Sequence, residues 1–186
     1  MKRLFDILAG LAALAVLGVP MFFIALVVRL TSPGPALYWS DRVGRGNKIF
    51  KMPKFRSMRI DTPPMATHLM KDPGKFLSPV GGFLRQTSLD ELPQLLSIIR
   101  GDMSFVGPRP ALFNQTDLIS LRTAAGVHNI TPGLTGWAQV NGRDKLSVSL
   151  KVEHDVYYLK HQSLSTDLRI LGMTVCQALL RKGISH

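Results

Sequence analysis

Two carboxylates stand side by side in Thr87-Ser88-Leu89-Asp90-Glu91-Leu92-Pro93-Gln94-Leu95, at what reads as the start of a helix. Such a pair can supply a nucleophile, a proton acceptor or an oxygen ligand for a hard cation. It can also be purely structural. Ser88 with Glu91 three residues on matches a capping box, and acidic side chains suit a first helical turn. On that pattern alone the cap is favoured, and the company shifts the balance. Gly101-Asp102-Met103-Ser104-Phe105-Val106-Gly107-Pro108-Arg109-Pro110 follows one helix later, its prolines fixing a backbone that presents Arg109. Arginine is suited to two-pronged phosphate contact. A third stretch, Thr131 to Arg143, is glycine-rich and adds Trp137, Gln139, Asn141 and Arg143. Taken singly, Gly136 and Gly142 read as turn residues and Trp137 as core.

These residues need a scaffold. Leu89 to Ile99 reads as helix, Phe113 to Ala125 as a second ending near Gly126, and Ser147 to His161 as a third. Ala36 to Ser40 and Lys48 to Phe55 read as a β-hairpin around Gly44-Arg45-Gly46-Asn47, which lacks the residues and spacing of a P-loop. Asp61 to Pro79, with Pro63, Pro64, Pro73 and Gly74, reads as a long loop of the kind that covers sites. The last helix has start signals in Ser165, Thr166 and Asp167, an apolar stripe in Leu168, Leu171, Val175 and Leu179, and a stop at Arg181-Lys182-Gly183. Its stripe is expected to pack on the core, with a membrane surface as the alternative. Cys176, the single cysteine, excludes an intramolecular disulfide and reads as a packed core thiol.

From Ile7 to Val28 the chain carries no charge, a run of about 22 residues where about 20 suffice to cross a bilayer. A secretory signal would fit Lys2, Arg3 and the apolar centre, yet the run continues through Val28 with no small-residue cleavage site. The segment is therefore expected to be retained. Gly18 and Pro20 interrupt it, and both flanks are basic, so a helix that bends at Pro20 and leaves on the face it entered competes evenly with a kinked spanning helix. Asp6 is expected to pair with Lys2 or Arg3 at headgroup level. Ser32-Pro33-Gly34-Pro35 marks a boundary, giving a membrane helix over residues 1–31 and a body over 32–186. With 46% hydrophobic residues, 19% charged and a formal charge of +11, the chain is no disordered tail and calls for an anionic partner.

The order of these motifs resembles the monotopic phosphoglycosyl transferases, the bacterial sugar transferase family that starts lipid-linked glycan assembly. The resemblance runs from Lys2-Arg3-Leu4-Phe5-Asp6 through Lys54-Phe55-Arg56-Ser57-Met58, the Asp90-Glu91 segment, Gly101 to Pro110 and Gly133 to Arg143, to Asp155-Val156-Tyr157-Tyr158. It covers the catalytic core only, as in the small members. It implies an α+β fold: a mainly helical cytoplasmic domain with a small β-hairpin or sheet, on a kinked re-entrant helix of the bacterial inner membrane broken at Gly18 and Pro20. Members often carry serine before that proline, where this chain has Val19; a loop that often reads Asp-Pro-Arg is here Asp72-Pro73-Gly74, followed by Lys75.

The resemblance further implies transfer of a sugar 1-phosphate from a UDP-sugar to undecaprenyl phosphate through an aspartyl phosphosugar intermediate, with UMP leaving and Asp90 as nucleophile. Glu91 then orients the acceptor, takes a proton or helps hold a metal. Attack of one anion on another calls for a divalent ion at Asp90, expected to be Mg²⁺. Arg85, Arg109 and Arg143 are the expected phosphate contacts; Lys54 and Arg56 are weaker candidates against a headgroup-facing basic surface. Gln139 and Asn141 are candidates for reading uracil or ribose. Anionic lipid headgroups are an expected partner, and a homo-oligomer is left open. A non-enzymatic membrane module would explain the charge and the apolar segment but not the motifs. Nucleic-acid binding is not expected, since no recognition motif is present.

Overall fold

The computed structural model describes residues 2–62, 72–142 and 145–180. Arg143, the stop signals at 181–183 and residues 63–71 of the expected 61–79 loop lie outside them. The first element, α1, runs from Lys2 to Thr31 with Gly18 and Pro20 inside it, so no second element begins at the proline. It is long and apolar enough to cross a membrane by length and composition. One stripe, Asp6, Gly10, Ala13, Leu17, Met21, Ile24 and Val28, recurs at spacings of three and four and faces the body along the whole helix. The opposite face, including Leu8, Val16, Val19, Phe22 and Leu30, is exposed. Each such side chain is worth about 1.5–3 kcal/mol when withdrawn from water, so this face suits lipid.

The helix is fastened at both ends. Arg3 donates from both terminal nitrogens to the carbonyls of Ile98 and Ile99, each at 2.5 Å. These carbonyls close α3 (Leu95–Arg100), where a cation also meets the negative end of the helix dipole. Lys2 pairs with Asp167 at 2.5 Å. The expected pairing of Asp6 with Lys2 or Arg3 is therefore replaced: Asp6 is buried and accepts from Ser104 Oγ and the Phe105 backbone N–H, both at 3.0 Å. At the far end, Val28 packs with Phe55 and Leu84.

Beyond Thr31 the chain turns through Gly34, whose φ of 106° favours glycine and whose absent Cβ leaves room for the Arg56 guanidinium. Arg56 is buried and donates to the carbonyls of Ser32, at 2.8 Å, and Pro33. Its two terminal nitrogens are committed to this linker, while its Nε is buried without a hydrogen-bond partner. Replacing it with methionine should lower stability by about 1.5–3 kcal/mol, the range for hydrogen bonds to a charged group. Chemical unfolding in detergent measures that loss, and unchanged stability would return Arg56 to its expected phosphate contact.

The hairpin forms as β1 (Leu37–Val43) against β2 (Ile49–Phe55), with Leu37 opposite Phe55 and Val43 opposite Ile49. Gly46 and Asn47 take the positive φ values of its turn. A second pair went unread: β3 (Ser104–Val106) runs parallel to β4 (Gly133–Thr135). Its signal is weak because each strand has three residues and one begins with glycine. A Cβ on Gly133 or Gly136 would collide with the Gly107 backbone, so these glycines let two chain segments mesh.

The expected helix over Leu89–Ile99 is split. After α2 (Gly81–Gln86), a 3₁₀ helix covers Leu89–Gln94 and α3 follows. Pro93 has no N–H to donate, and Ser88 takes φ 57° with no side-chain cap, which corrects the capping-box reading. A left-handed non-glycine residue costs on the order of 1–3 kcal/mol and often accompanies functional sites. The remaining α-helices among the described residues are α4 (Thr116–Ala124), α5 (Trp137–Val140), α6 (Val148–Lys160) and α7 (Leu164–Leu179).

The orientation of α7 also differs from expectation. Its N-cap is Ser163, which accepts from the Thr166 N–H at 3.2 Å. Asp167 and Ile170 are buried, whereas Leu168 and Val175 are 52% and 58% exposed and Cys176 is exposed rather than a core thiol. The reason is a buried polar anchor: Asp167 accepts from the Tyr158 hydroxyl at 2.6 Å and pairs with Lys2. That anchor turns Leu168 and Val175 outward, while Leu171 of the expected stripe still packs against the core.

Candidate active site

The 3₁₀ helix lies against β2, which sets Asp90 and Glu91 beside Lys54. Glu91 Oε1 accepts from Lys54 Nζ at 2.8 Å and from Arg109 Nη2 at 2.7 Å. Burial alone would raise the Glu91 carboxyl, but the charges and hydrogen bonds of Arg109 and Lys54 prevail and hold it well below the usual range. Asp90 is 8% exposed. Burial raises its carboxyl, with Glu91 adding to the rise, while Lys54, Arg85 and Arg109 pull it back. The neighbours are thus driven apart, one firmly ionised, the other desolvated inside a field of three cations.

The Arg109 loop is clamped from several directions. Gly107 N–H donates to the Thr135 carbonyl at 2.9 Å, and Gly133 N–H to the Pro108 carbonyl at 2.9 Å. Arg122 on α4 donates to the Arg109 carbonyl at 2.8 Å and binds Asp155 Oδ2 of α6 through two nitrogens, at 2.9 and 2.7 Å. Burial raises the Asp155 carboxyl despite Arg122, so the ion pair's worth lies in holding geometry. Tyr158 extends the clamp, donating to Asp167 and lying 3.2 Å from the Val106 carbonyl.

Arg42 enters the site without having been singled out for it. Its Nη1 donates to the Pro110 carbonyl at 3.2 Å and its Nε to Ser40 Oγ at 3.0 Å. Burial, then the charge of Arg109, pulls its guanidinium down to about 10. The available signal was strand alternation, which puts Ser40 and Arg42 on one face of β1.

Of the expected site residues, Asp90, Glu91, Lys54, Arg85 and Arg109 are brought together. Gln139 is buried and lines an adjoining cavity. Asn141 instead donates to the Trp137 carbonyl at 2.8 Å at the end of α5. Arg56 is spent on the linker, and Arg143 is not among the described residues. The described residues hold no cluster of three or more acidic, histidine or cysteine groups. Asp90 and Glu91 match the one or two carboxylates that Mg²⁺ uses when substrate phosphates and waters complete its shell.

The sequence model of the family described as bacterial sugar transferase matches residues 1–181. The sugar transferase EpsL of Bacillus subtilis, itself named as uncharacterized, is 40% identical over 100% of this chain and 91% of its own length. The Aeromonas hydrophila UDP-N-acetylgalactosamine-undecaprenyl-phosphate N-acetylgalactosaminephosphotransferase is 36% identical over 94% of this chain and 42% of its own. The Escherichia coli UDP-glucose:undecaprenyl-phosphate glucose-1-phosphate transferase is 36% identical over 98% and 41%. The chain thus spans about two-fifths of these two larger relatives.

Proposed function

This chain belongs to the bacterial sugar transferase family, and from that membership we propose that it moves a sugar 1-phosphate from a UDP-sugar to undecaprenyl phosphate, as an early membrane step of polysaccharide assembly. The observation that carries the reading is a buried aspartate set among Lys54, Arg85 and Arg109 beside a firmly ionised glutamate. Asp90 Oδ attacks the sugar-linked phosphorus, the bridging P–O bond breaks and UMP leaves. An acceptor phosphate oxygen then attacks the same phosphorus, and the Asp90 carboxylate is released. Desolvation favours this because covalent attachment relieves a charge the site holds poorly.

Glu91 is a weak base here, since Arg109 and Lys54 stabilise its ionised form. Its role is to hold those two cations where phosphate charge develops. Asp90, with the substrate's diphosphate, would hold Mg²⁺, which would neutralise phosphate charge when bound. Arg85 and Arg109 bind phosphate oxygens.

The membrane reading rests on α1. Both its ends and its middle touch one body, whereas a spanning helix separates its ends by about 30 Å of hydrocarbon. A shallow path that leaves the membrane on the side it entered, at the cytoplasmic face of the inner membrane, satisfies these contacts. Anionic headgroups suit the chain's positive charge.

Purified protein in detergent, given a panel of UDP-sugars and undecaprenyl phosphate, should release UMP with at least one sugar; none from any sugar would refute the transfer. The pH profile gives a sharper check. An acid limb set by Asp90 should lie above the ordinary carboxylate value of about 4. Lys54 is the largest influence lowering that carboxyl, so Lys54→Met should move the limb of kcat/KM to higher pH, and Lys54→Arg should not. A limb that stayed or fell would take Asp90 out of the titration.

A further inference from the structure

Beside the carboxylate pair lies a cavity of about 300 Å³ whose function nothing above assigns. Ala13 and Leu17 of α1 form one wall and Leu171 and Ala178 of α7 another, with Leu92 and Leu134 between them. Glu91 and Arg109 also line it. We propose that this cavity takes the first isoprene units of the polyprenyl phosphate acceptor, with the phosphate at the Glu91 and Arg109 end. The proposal rests on the transferase reading and gives the acceptor a place in it.

The chemistry of the lining excludes the donor's sugar. Thr135 and Thr174 share a hydrogen bond of 2.8 Å, Gln177 donates to the Val140 carbonyl at 2.7 Å, and Gln139 Nε2 donates to the Leu134 carbonyl at 3.2 Å. These polar side chains are thus largely satisfied by one another or by backbone carbonyls, and among the described lining residues Gln139 Oε1 is the one buried side-chain atom without a partner. A sugar ring needs several hydroxyl partners; a hydrocarbon needs none.

Size and position select the chain. An aliphatic void of about 150 Å³ takes benzene, so about twice that volume takes on the order of twelve carbons, or about two isoprene units. One chain fits; the paired acyl chains of a phospholipid do not. Because α1 supplies a wall and also carries the lipid-facing surface, a chain leaving between α1 and α7 passes directly into hydrocarbon. Arg109 at the polar end complements a phosphate monoester.

Two measurements on the full chain decide it. Ala178→Phe, at the cavity rim, should raise the acceptor KM by about tenfold or more while kcat and the UDP-sugar KM change less than about twofold. Val175→Phe, on the exposed face of α7, should change none of them. In donor-free protein, a prenyl phosphate bearing a diazirine on its second isoprene unit should label peptides containing Ala13 to Leu17 or Leu171 to Ala178. Undecaprenyl phosphate should compete and phosphatidylglycerol should not. An unchanged acceptor KM in Ala178→Phe, labelling confined to the Phe22–Phe23 surface, or equal competition by phosphatidylglycerol would overturn the proposal. Labelling needs no turnover, so if no UDP-sugar releases UMP the transferase reading falls while the occupant of the cavity is still decided.

Discussion

Asp90→Asn is expected to lower UMP release by about a thousandfold or more, as removal of a nucleophile does, while leaving the fold as stable as before or slightly more so. The two halves of this result share one cause. Burial raises the Asp90 carboxyl, so at neutral pH the folded state disfavours the ionised form that chemistry needs. For a carboxyl raised in the fold, the cost to stability is absent below its unfolded value and grows as pH rises through the folded one. Asparagine keeps the shape and removes that charge. Donor turnover together with chemical unfolding in detergent measures both effects, and mass spectrometry of donor-treated wild type should find a phosphosugar on Asp90. Turnover within about tenfold of wild type in the variant would leave Asp90 a structural residue.

Arg109→Ala should lower kcat/KM for the donor by about 10²- to 10³-fold, the range seen when one preorganised charge is removed from a developing anion. Stability should fall far less than the rate: the buried Glu91 loses one partner, but Arg109 itself is 40% exposed and Lys54 remains to compensate the carboxylate. Arg122 grips the Arg109 carbonyl, which alanine retains, so the loop keeps its clamp. Arg109→Lys restores charge without the guanidinium fork and should recover only part of the loss. The Glu91 carboxyl should rise in the alanine variant, because burial then opposes Lys54 alone. A loss of stability as large as the loss of rate would make Arg109 a structural strut.

The site and the membrane helix are mechanically one unit. Asp6 holds Ser104 and Phe105 at the head of β3, Lys2 holds Asp167, and Tyr158 joins Asp167 to Val106 just before Gly107. The seating of α1 therefore reaches the Arg109 loop through two polar anchors. The proposed transfer to undecaprenyl phosphate would need this arrangement, since that phosphate stays near the headgroup plane and the groups acting on it must stand at a fixed height from it.

Local signals made several features legible. The hairpin around Gly44 to Asn47, the helix capped by Ser147 and the long apolar N-terminal helix depend on turn chemistry, capping and hydropathy, which act between near neighbours. That Asp90, Glu91 and Arg109 come together was legible as motifs, because adjacent carboxylates and a proline-flanked arginine are unusual local patterns. Features made by distant segments were not legible. The capping-box reading of Ser88 and Glu91 failed because Glu91 is claimed by Lys54 and Arg109, residues 37 and 18 positions away. The stripe of α7 held at Leu171 but not at Leu168 and Val175, because one buried carboxylate, Asp167, fixes the face turned inward.

The sequence by itself determined which groups are available: adjacent carboxylates at Asp90 and Glu91, arginines such as Arg85 and Arg109, and an apolar N-terminal helix. The tertiary structure alone decided which cations reach that aspartate, sending Lys54 to Glu91 and Arg56 to the linker carbonyls although the two stand two residues apart. The physical reason is that a charge is worth most where water is excluded. Burial at a given position is the joint product of segments far apart along the chain, which no local pattern records.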